Sequence, residues 1–404
     1  MLYNERLVAQ VYALRYLAKA AASAPRDLVN SYVARLTPIR PTVLIFHCTF
    51  VCDARCEMCH NWKRGDRAAD MTIDDIDKAF QSKLWSRIEN ANISGGEPTT
   101  RNDLVDIARL MLDRFPRLRK LGLNTTGLTP HRAIPMLTKI VELCEERGVI
   151  FSTRVSIDGV GEMHNQVRAV KRGFEKAVET IRAMQALQRK HSFNFGISTT
   201  IFSMNLDDAD NIYAWAKKEK LDVVFNMVRF TEPMLGNAGL AATCTPVGEE
   251  EERMRQFFLD RIRMDSVLDG QNLVYMHYAD MIANGYHRLA PCPFQTQGVM
   301  LNPDGGLFFC ENSEVMGNVR ETDPEQIYFS AESQAHRDMI RNEKCPTCLS
   351  PCQMNVAAIK QIGPYAQFVV RAAREKRRYR RGGQRSGFTS AGRSPDSGQA
   401  SARP

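Results

Sequence analysis

From Pro41 onward the chain alternates between two kinds of run. Short runs rich in β-branched and aromatic residues are TVLIFH, IENANIS, KLGLN, FSTRVSID, FGISTTIF and DVVFNMV. Between them lie longer runs whose apolar positions recur every three or four residues: TIDDIDKAFQSKLW, LVDIARLMLDRF, AIPMLTKIVELCEE, FEKAVETIRAMQALQRK and DADNIYAWAKKE. The first kind predicts strands and the second amphipathic helices. Thr72 stands where the first helix needs an N-cap. Strands that alternate with helices imply a parallel sheet with right-handed crossovers. Six such units predict an α/β fold, a partial (β/α)6 barrel rather than the closed eightfold one, spanning residues 41–240. In either barrel, ligands sit on the loops at the C-terminal ends of the strands.

The flanks have a different pattern. Residues 1–40 read as a helix with Leu7, Val8, Val11, Leu14, Leu17 and Ala18 on one face and Arg6, Arg15 and Lys19 elsewhere. Such a helix either packs on the body or lies on a membrane surface. Residues 241–290 read as a helical linker with an acidic start, GEEEERMRQFFLDRIRMD, and 291–363 as a second, cysteine-bearing module. Residues 364–404 form a basic tail that cannot bury a core, with disorder expected from about Gly382.

Composition is that of a globular chain: 404 residues, 44% hydrophobic and 25% charged. No apolar run approaches the ~20 residues of a membrane span, and no secretory signal is visible, so a cytoplasmic location is expected. The net charge of +8 belongs to the tail, whose nine arginines and one lysine face one glutamate and one aspartate. The body is charge-balanced, which argues against a specific nucleic-acid partner. The tail and the first helix leave peripheral contact with anionic membrane open.

Eleven cysteines in a reducing compartment point to metal or redox chemistry rather than disulfides. Cys144 and Cys244 stand alone and read as buried small hydrophobes. Cys52, Cys56 and Cys59 follow the first strand in VCDARCEMCHNW, at x3 and x2 spacing. Three thiolates on a [4Fe–4S] cluster leave one iron open for a ligand. A zinc ion would want a fourth ligand, for which Cys48 and His60 are candidates.

The segment SGGEP (Ser94–Pro98) follows the second strand, where its glycines would let backbone approach a ligand closely. LNTTG (Leu123–Gly127) follows the third strand, and SIDG (Ser156–Gly159), His164 and Arg168 follow the fourth. Together with C-x3-C-x2-C, this set resembles the radical S-adenosylmethionine (SAM) superfamily over roughly residues 41–230, with its TIM-like partial barrel. The resemblance implies that Cys52, Cys56 and Cys59 hold the catalytic cluster; Cys48 is out of register for that motif. It implies SAM contacts from Met58, Ser94, Gly95, Gly96, Glu97, Asn124, Ser156, Asp158 and Arg168. SGGEP would meet the SAM amino group, and Ser156 and Arg168 would lie near its ribose and carboxylate. Met58 stands where the family usually has an aromatic residue.

Downstream, Cys292 is followed by Cys310 within LNPDGGLFFCEN, a predicted hairpin, and then by GNVRE and CPTCLSPC. This resembles the SPASM/twitch extension of many radical SAM enzymes, a small α+β module that holds auxiliary iron–sulfur clusters. Five cysteines favour the shorter form, with one [4Fe–4S] cluster on Cys292, Cys310, Cys345 and Cys348 and with Cys352 spare. A structural zinc on the same cysteines is the alternative.

The resemblance implies an oxidoreductase that reductively cleaves SAM to a 5′-deoxyadenosyl radical, abstracts a substrate hydrogen and passes an electron to the auxiliary cluster. Its partners would be a small-molecule substrate (a sugar, cyclitol or amino alcohol) and a flavodoxin- or ferredoxin-type donor. A ribosomally made peptide or a membrane lipid is the alternative substrate. Asn226, Arg229 and Glu232, in and after the sixth strand, are candidates to face the site.

Overall fold

The computed structural model describes residues 37–264, 270–288 and 292–350, with 370–377 and the single positions 25, 29, 33 and 367. Six strands run parallel and in chain order: β1 (Val43–Thr49), β2 (Asn90–Gly95), β3 (Lys120–Thr125), β4 (Ile150–Ser156), β5 (Asn194–Ile201) and β6 (Val223–Met227). Helices α1 (Ile73–Phe80), α2 (Leu104–Arg114), α3 (Pro130–Glu146), α4 (Glu162–Arg168), α5 (Gly173–Gln188) and α6 (Ala209–Lys218) alternate with them. This is the expected partial (β/α)6 barrel. Alternate strand residues such as Leu44, Phe46, Ile93, Leu121, Leu123 and Val155 are fully or almost fully buried in the layer shared with the helices. The intervening residues, among them Asn92, Ser94, Asn124, Ser152 and Ser156, face the barrel interior.

Local signals account for the boundaries. Thr72 caps α1 reciprocally: its Oγ1 accepts from the Asp75 amide at 3.2 Å, and Asp75 Oδ2 accepts from the Thr72 amide at 3.0 Å. The helix stops at Phe80, earlier than the periodicity predicts, because Ser82 opens a new 3₁₀ turn over Lys83–Arg87. That turn drives Trp85 into the core, where its indole N–H reaches the Ala79 carbonyl at 2.7 Å.

Residues 241–290, expected as a linker, are a structural layer. Helices α7 (Glu249–Met264) and α8 (Gly270–Ala283) pack on each other through Phe258, Tyr275 and Tyr278 and against β6 through Phe225 and Phe257. The Tyr275 hydroxyl accepts from the Phe225 amide at 3.1 Å, so a side chain occupies a donor of the edge strand. Residues 370–377 continue this layer: Ala372 is buried, and Arg371 grips both carboxylate oxygens of Asp280 at 2.7 and 2.6 Å. The start of the expected tail is thus part of the body. The amphipathic reading of residues 1–36, apart from single helical positions, and the tail beyond residue 377 lie outside the described residues.

The other sheet edge carries the second module. β7 (Gly298–Leu301) pairs in parallel with β1, Val43 opposite Gly298, and turns through Asn302–Gly305 into antiparallel β8 (Gly306–Phe308) and then β9 (Gly317–Asn318). The predicted hairpin is therefore present, but it extends the barrel sheet to nine strands. Helices α9 (Pro324–Phe329) and α10 (Ala331–Glu343) cover it. Val299, Leu301, Leu307, Phe309 and Tyr328 share one core with Leu44, Phe46 and Ile93.

Where β1 ends, two backbone segments come into close contact. The Gly96 amide donates to Thr49 O at 2.7 Å and the Glu97 amide to Val51 O at 2.9 Å. A Cβ on Gly96 would lie 2.4 Å from Val51 O and 2.6 Å from Phe50 O, and Gly95, at φ 134°, would place one 2.0 Å from Thr49 O. The space a side chain would take at these glycines is thus filled by the chain's own β1 loop.

Two outcomes follow from this packing. Gly96→Ala must push the loop after β1 off its seat, costing about 1–3 kcal/mol as overpacking does; it should lower the melting temperature and the iron bound on reconstitution. Gly239→Ala, where nothing lies within 4 Å, should do neither. Excised residues 41–240 should fail to give a monomer with native near-ultraviolet circular dichroism, because β1 loses β7 and bares its edge. A well-folded, monodisperse fragment would show that the module is dispensable for the barrel.

Candidate active site

The triad loop occupies the barrel mouth directly after β1. Its cysteines sit in an apolar patch with Met58, Leu128, Val167, Phe202, Val228 and Cys244; Cys56 is buried, and Cys52 and Cys59 are half-buried. Burial pushes all three thiols up, Cys56 to about 11. Opposing terms are built in. The Ala54 and Asn61 amides donate to Cys52 and Cys59, and Arg168 Nη1 lies 3.5 Å from Cys56 Sγ. Dry sulfurs met by N–H donors and a guanidinium suit an iron–sulfur cluster, whose charge draws off the thiol protons. Among the described residues, no three His, Cys, Asp or Glu side chains converge closely enough to share one metal ion. A lone zinc needs that convergence, with every sulfur about 2.3 Å from a single ion. Cys48 is no fourth ligand: it is fully buried in the core beside Phe46, its thiol pushed up to about 12. His60 instead lies 3.1 Å from Lys63 Nζ.

The loops after β1, β2 and β3 are laced by carboxylates. Asp53 accepts from the Thr126 and Thr129 hydroxyls at 3.0 and 2.9 Å. Glu97 is fully buried; Oε1 accepts from the Thr99 amide and the Thr99 and Thr125 hydroxyls, and Oε2 from the Thr126 amide at 2.6 Å. Burial raises its pKa, the nearby Asp53 charge adds to this, and these donors oppose both. Arg101 crosses from the other side, donating to Cys48 O at 2.8 Å and Met71 O at 3.0 Å.

The wall after β4 is tied in the same way. Asp158 holds Arg168 at 2.5 Å and accepts from the Thr200 amide at 2.8 Å. Its own amide donates to His164 Nδ1 at 3.1 Å. Burial lowers the His164 pKa to about 3, so the ring is neutral and carries its proton on Nε2. The carbonyls of Val167 and Arg168 accept from the Glu57 and Arg55 amides, which seats α4 on the triad loop.

The expected SAM contacts therefore divide. Ser94, Asn124 and Ser156 remain on the inner, open side of the strand ends. Gly95 and Gly96 seat the β1 loop, Glu97 and Asp158 are consumed in holding loops together, and Arg168 serves Asp158 and Cys56. Met58 packs in the apolar patch, while its carbonyl accepts from Asn237 Nδ2 at 3.0 Å. Asn237 also binds Arg229 O at 3.0 Å and the Thr231 amide. Asp53, Asn237 and Arg101 carry no pattern that the sequence reading could use.

The second centre lies on the module's side of β1. Cys292, Cys310, Cys345 and Cys348 line one cavity with Phe309, Asn312 and Arg337. Burial raises the Cys310 and Cys348 thiols; the Asn312 amide group and the Ser350 N–H donate to Cys348 Sγ at 3.3 and 3.4 Å, and Arg288 pulls its pKa down. The chemistry again fits a cluster held by four thiolates. Cys352 lies outside the described residues. Cys144 is a core residue of α3, whereas Cys244 is buried within the triad's own apolar patch.

The two centres are bridged. Arg229, after β6, lies 3.3 Å from Glu311, the neighbour of Cys310, and donates to Ser350 Oγ at 3.3 Å; its charge also reaches Cys59. His47, on the inner face of β1, donates from Nδ1 to Asn302 Oδ1 at 3.1 Å and is held neutral by burial. Asn226 donates to Ser198 Oγ at 3.3 Å. Glu232 is exposed and accepts from the Ala238 amide, away from the interior. Among the described residues no helix is long and apolar enough to cross a membrane.

Comparison with known proteins agrees with this geometry. Residues 47–216 match the model of the radical SAM superfamily, and residues 292–353 that of the SPASM iron–sulfur cluster-binding domain. The chain is 27% identical to an AdoMet-dependent heme synthase of Methanosarcina barkeri over 72% of this chain and 83% of that one. It is 32% identical to a probable GTP 3′,8-cyclase of Methanococcus aeolicus, but over 32% of this chain and less than half, 43%, of the relative. In fold it is similar to Streptococcus suis SuiB bound to S-adenosylmethionine (TM-score 0.53, 12% identity, 78% of this chain and 74% of that one). It is also similar to anSMEcpe with bound AdoMet (TM-score 0.52, 14% identity, 83% of this chain and 100% of that one). The cofactors are those of the matched families: a [4Fe–4S] cluster, S-adenosylmethionine and an auxiliary iron–sulfur cluster. Residues 47–216 thus belong to the radical SAM superfamily, and a C-terminal SPASM-type domain continues their barrel.

Proposed function

We propose that this enzyme oxidises or rearranges a small polar metabolite bound inside the barrel, with the auxiliary centre accepting the second electron. The observation that carries the reading is the inner face. Asn92, Ser94, Asn124, Ser152, Ser156, Ser198 and Asn226 form a wall of amides and hydroxyls below the triad loop. Such a wall orients a hydroxylated or amino-bearing molecule through directional hydrogen bonds. The relation to a heme synthase, a protein of small-molecule metabolism by its name, supports the same class.

When bound and reduced, the triad cluster supplies the electron that cleaves S-adenosylmethionine and so the radical that takes one hydrogen atom from the substrate. The chain's residues do the rest. Cys52, Cys56 and Cys59 are the cluster ligands, and the Asp53, Glu97 and Asp158 lacing fixes their loop. Ser94, Asn124 and Ser156 face the nucleoside side, and the apolar patch excludes water. Cys292, Cys310, Cys345 and Cys348 would hold the auxiliary cluster, and the Arg229–Glu311 pair closes the gap between the two cysteine sets. Substrate oxidation would then balance as one hydrogen atom to the nucleoside, one electron to the cluster that these four cysteines would hold and one proton to solvent. A flavodoxin- or ferredoxin-type protein is the electron source.

The test is SAM turnover by anaerobically reconstituted protein with dithionite. Cys52→Ala/Cys56→Ala/Cys59→Ala should lose about half the iron and all 5′-deoxyadenosine formation. Cys345→Ala/Cys348→Ala, with folding checked by circular dichroism, should still form 5′-deoxyadenosine. A small-molecule filtrate of cell extract should stimulate the intact enzyme more than the retained peptide fraction. Stimulation by the peptide fraction alone would replace the metabolite reading with peptide modification.

A further inference from the structure

Within the polar interior lies a cavity of about 150 Å³ lined by Asn90, Asn92, Lys120, Asn124, Ser152 and Arg154. Two of these side chains are cations. Arg154 is half-neutralised: Nη2 meets Asp222 Oδ2 at 2.5 Å from the exposed side, and Nη1 donates to Ile197 O at 3.1 Å. The side-chain ammonium of Lys120, the first residue of β3, makes no hydrogen bond or ion pair with any described residue. Burial and the Arg154 charge lower its pKa to about 8. The neighbouring lining groups are neutral amides and a hydroxyl, with no carboxylate among them.

An ammonium without a counter-ion in a walled cavity is costly unless something anionic completes it. A solvent-facing lysine of purely structural use would extend into water rather than share a cavity with an arginine. From the geometry we infer that the substrate carries a carboxylate or phosphate, and that Lys120 and Arg154 bind it with the Asn90 and Asn92 amides beside it. Lys120 lies four residues before Asn124, about 13 Å down the strand at ~3.3 Å per residue. The anionic group would then anchor at the N-terminal half of the barrel and leave the reacting end under the triad loop. The inference rests on the barrel interior being the substrate site.

Labelling of Lys120 by cyanate, read by mass spectrometry across pH, tests it on the full-length protein. Reactivity should rise with a midpoint near pH 8. Inorganic phosphate, succinate and the neutral polyol erythritol are then added separately. With an anion at about ten times its dissociation constant, labelling should fall roughly tenfold, because only the free cavity reacts. Protection by phosphate alone assigns a phosphate-bearing substrate, and by succinate alone a carboxylate-bearing one. Arg154→Gln should weaken protection. The inference is overturned if Lys120 stays unlabelled throughout, if erythritol protects equally, or if Arg154→Gln protects as well as wild type. Failure here with intact SAM cleavage sinks only the anion site; absent SAM cleavage with intact protection sinks the catalytic reading instead.

Discussion

Two backbone hydrogen bonds set the geometry of the site: Gly96 to Thr49 O and Glu97 to Val51 O. They place the end of β2 directly against the first residues of the triad loop, closer than any side chain permits. Everything above depends on that contact. With the backbones zipped, the Glu97 carboxylate falls under the β3 loop, where Thr99, Thr125 and Thr126 saturate it. The Asp53 carboxylate then reaches Thr126 and Thr129 from above. The Asp53 charge so close raises the cost of ionising the buried Glu97, and the threonine donors are what make the arrangement tolerable. The cysteines inherit a fixed loop from a part of the sequence that contains none.

A second constraint is sheet continuity. Because β7 pairs with β1 in register, the auxiliary module is not hung on a tether; its hairpin is a wall of the barrel. Cys310 lies two residues past β8, so its distance from the triad loop is set mainly by strand pairing. Arg229–Glu311 and His47–Asn302 then cross a gap that is already set. The proposed electron transfer between centres would benefit from such rigidity, since neither side would have to reorganise to approach the other.

This explains what the sequence could and could not disclose. Period-2 and period-3.6 patterns located all six barrel strands and the capped start of α1, since those patterns are the burial requirement itself. The triad, SGGEP and the hairpin were legible because few residue types can do those jobs. The packing of the glycines was not legible: their neighbour is the Thr49–Val51 backbone, and proximity across 45 residues leaves no local mark. The loop-binding partners of Glu97, Asp158 and Arg168 were likewise invisible, because an acid that ties loops together and a ligand-facing acid look identical in one dimension. The linker reading failed because α7 is acidic on its solvent side, which hides Phe257 and Phe258, and because Tyr275 serves an edge strand that the sequence cannot reveal as an edge.

The barrel mouth joins two opposite environments. Around the triad sulfurs the lining is Met58, Leu128, Val167, Phe202 and Val228, which keeps water away and strengthens the Arg168 and backbone N–H interactions with sulfur. Immediately below, the strands present serines, asparagines and two cations. A reactive radical demands the first environment, because stray donors quench it; a polar substrate demands the second, because its own groups need partners once desolvated. The strand pleat separates the two needs without any extra element. Residues facing outward satisfy the helices, residues facing inward offer partners to the proposed polar substrate, and the loop at the top, free of the period-2 rule, carries the apolar ring. Specificity can therefore change along the inward positions of β2 to β6 while the loop lacing and the sulfur environment stay as they are.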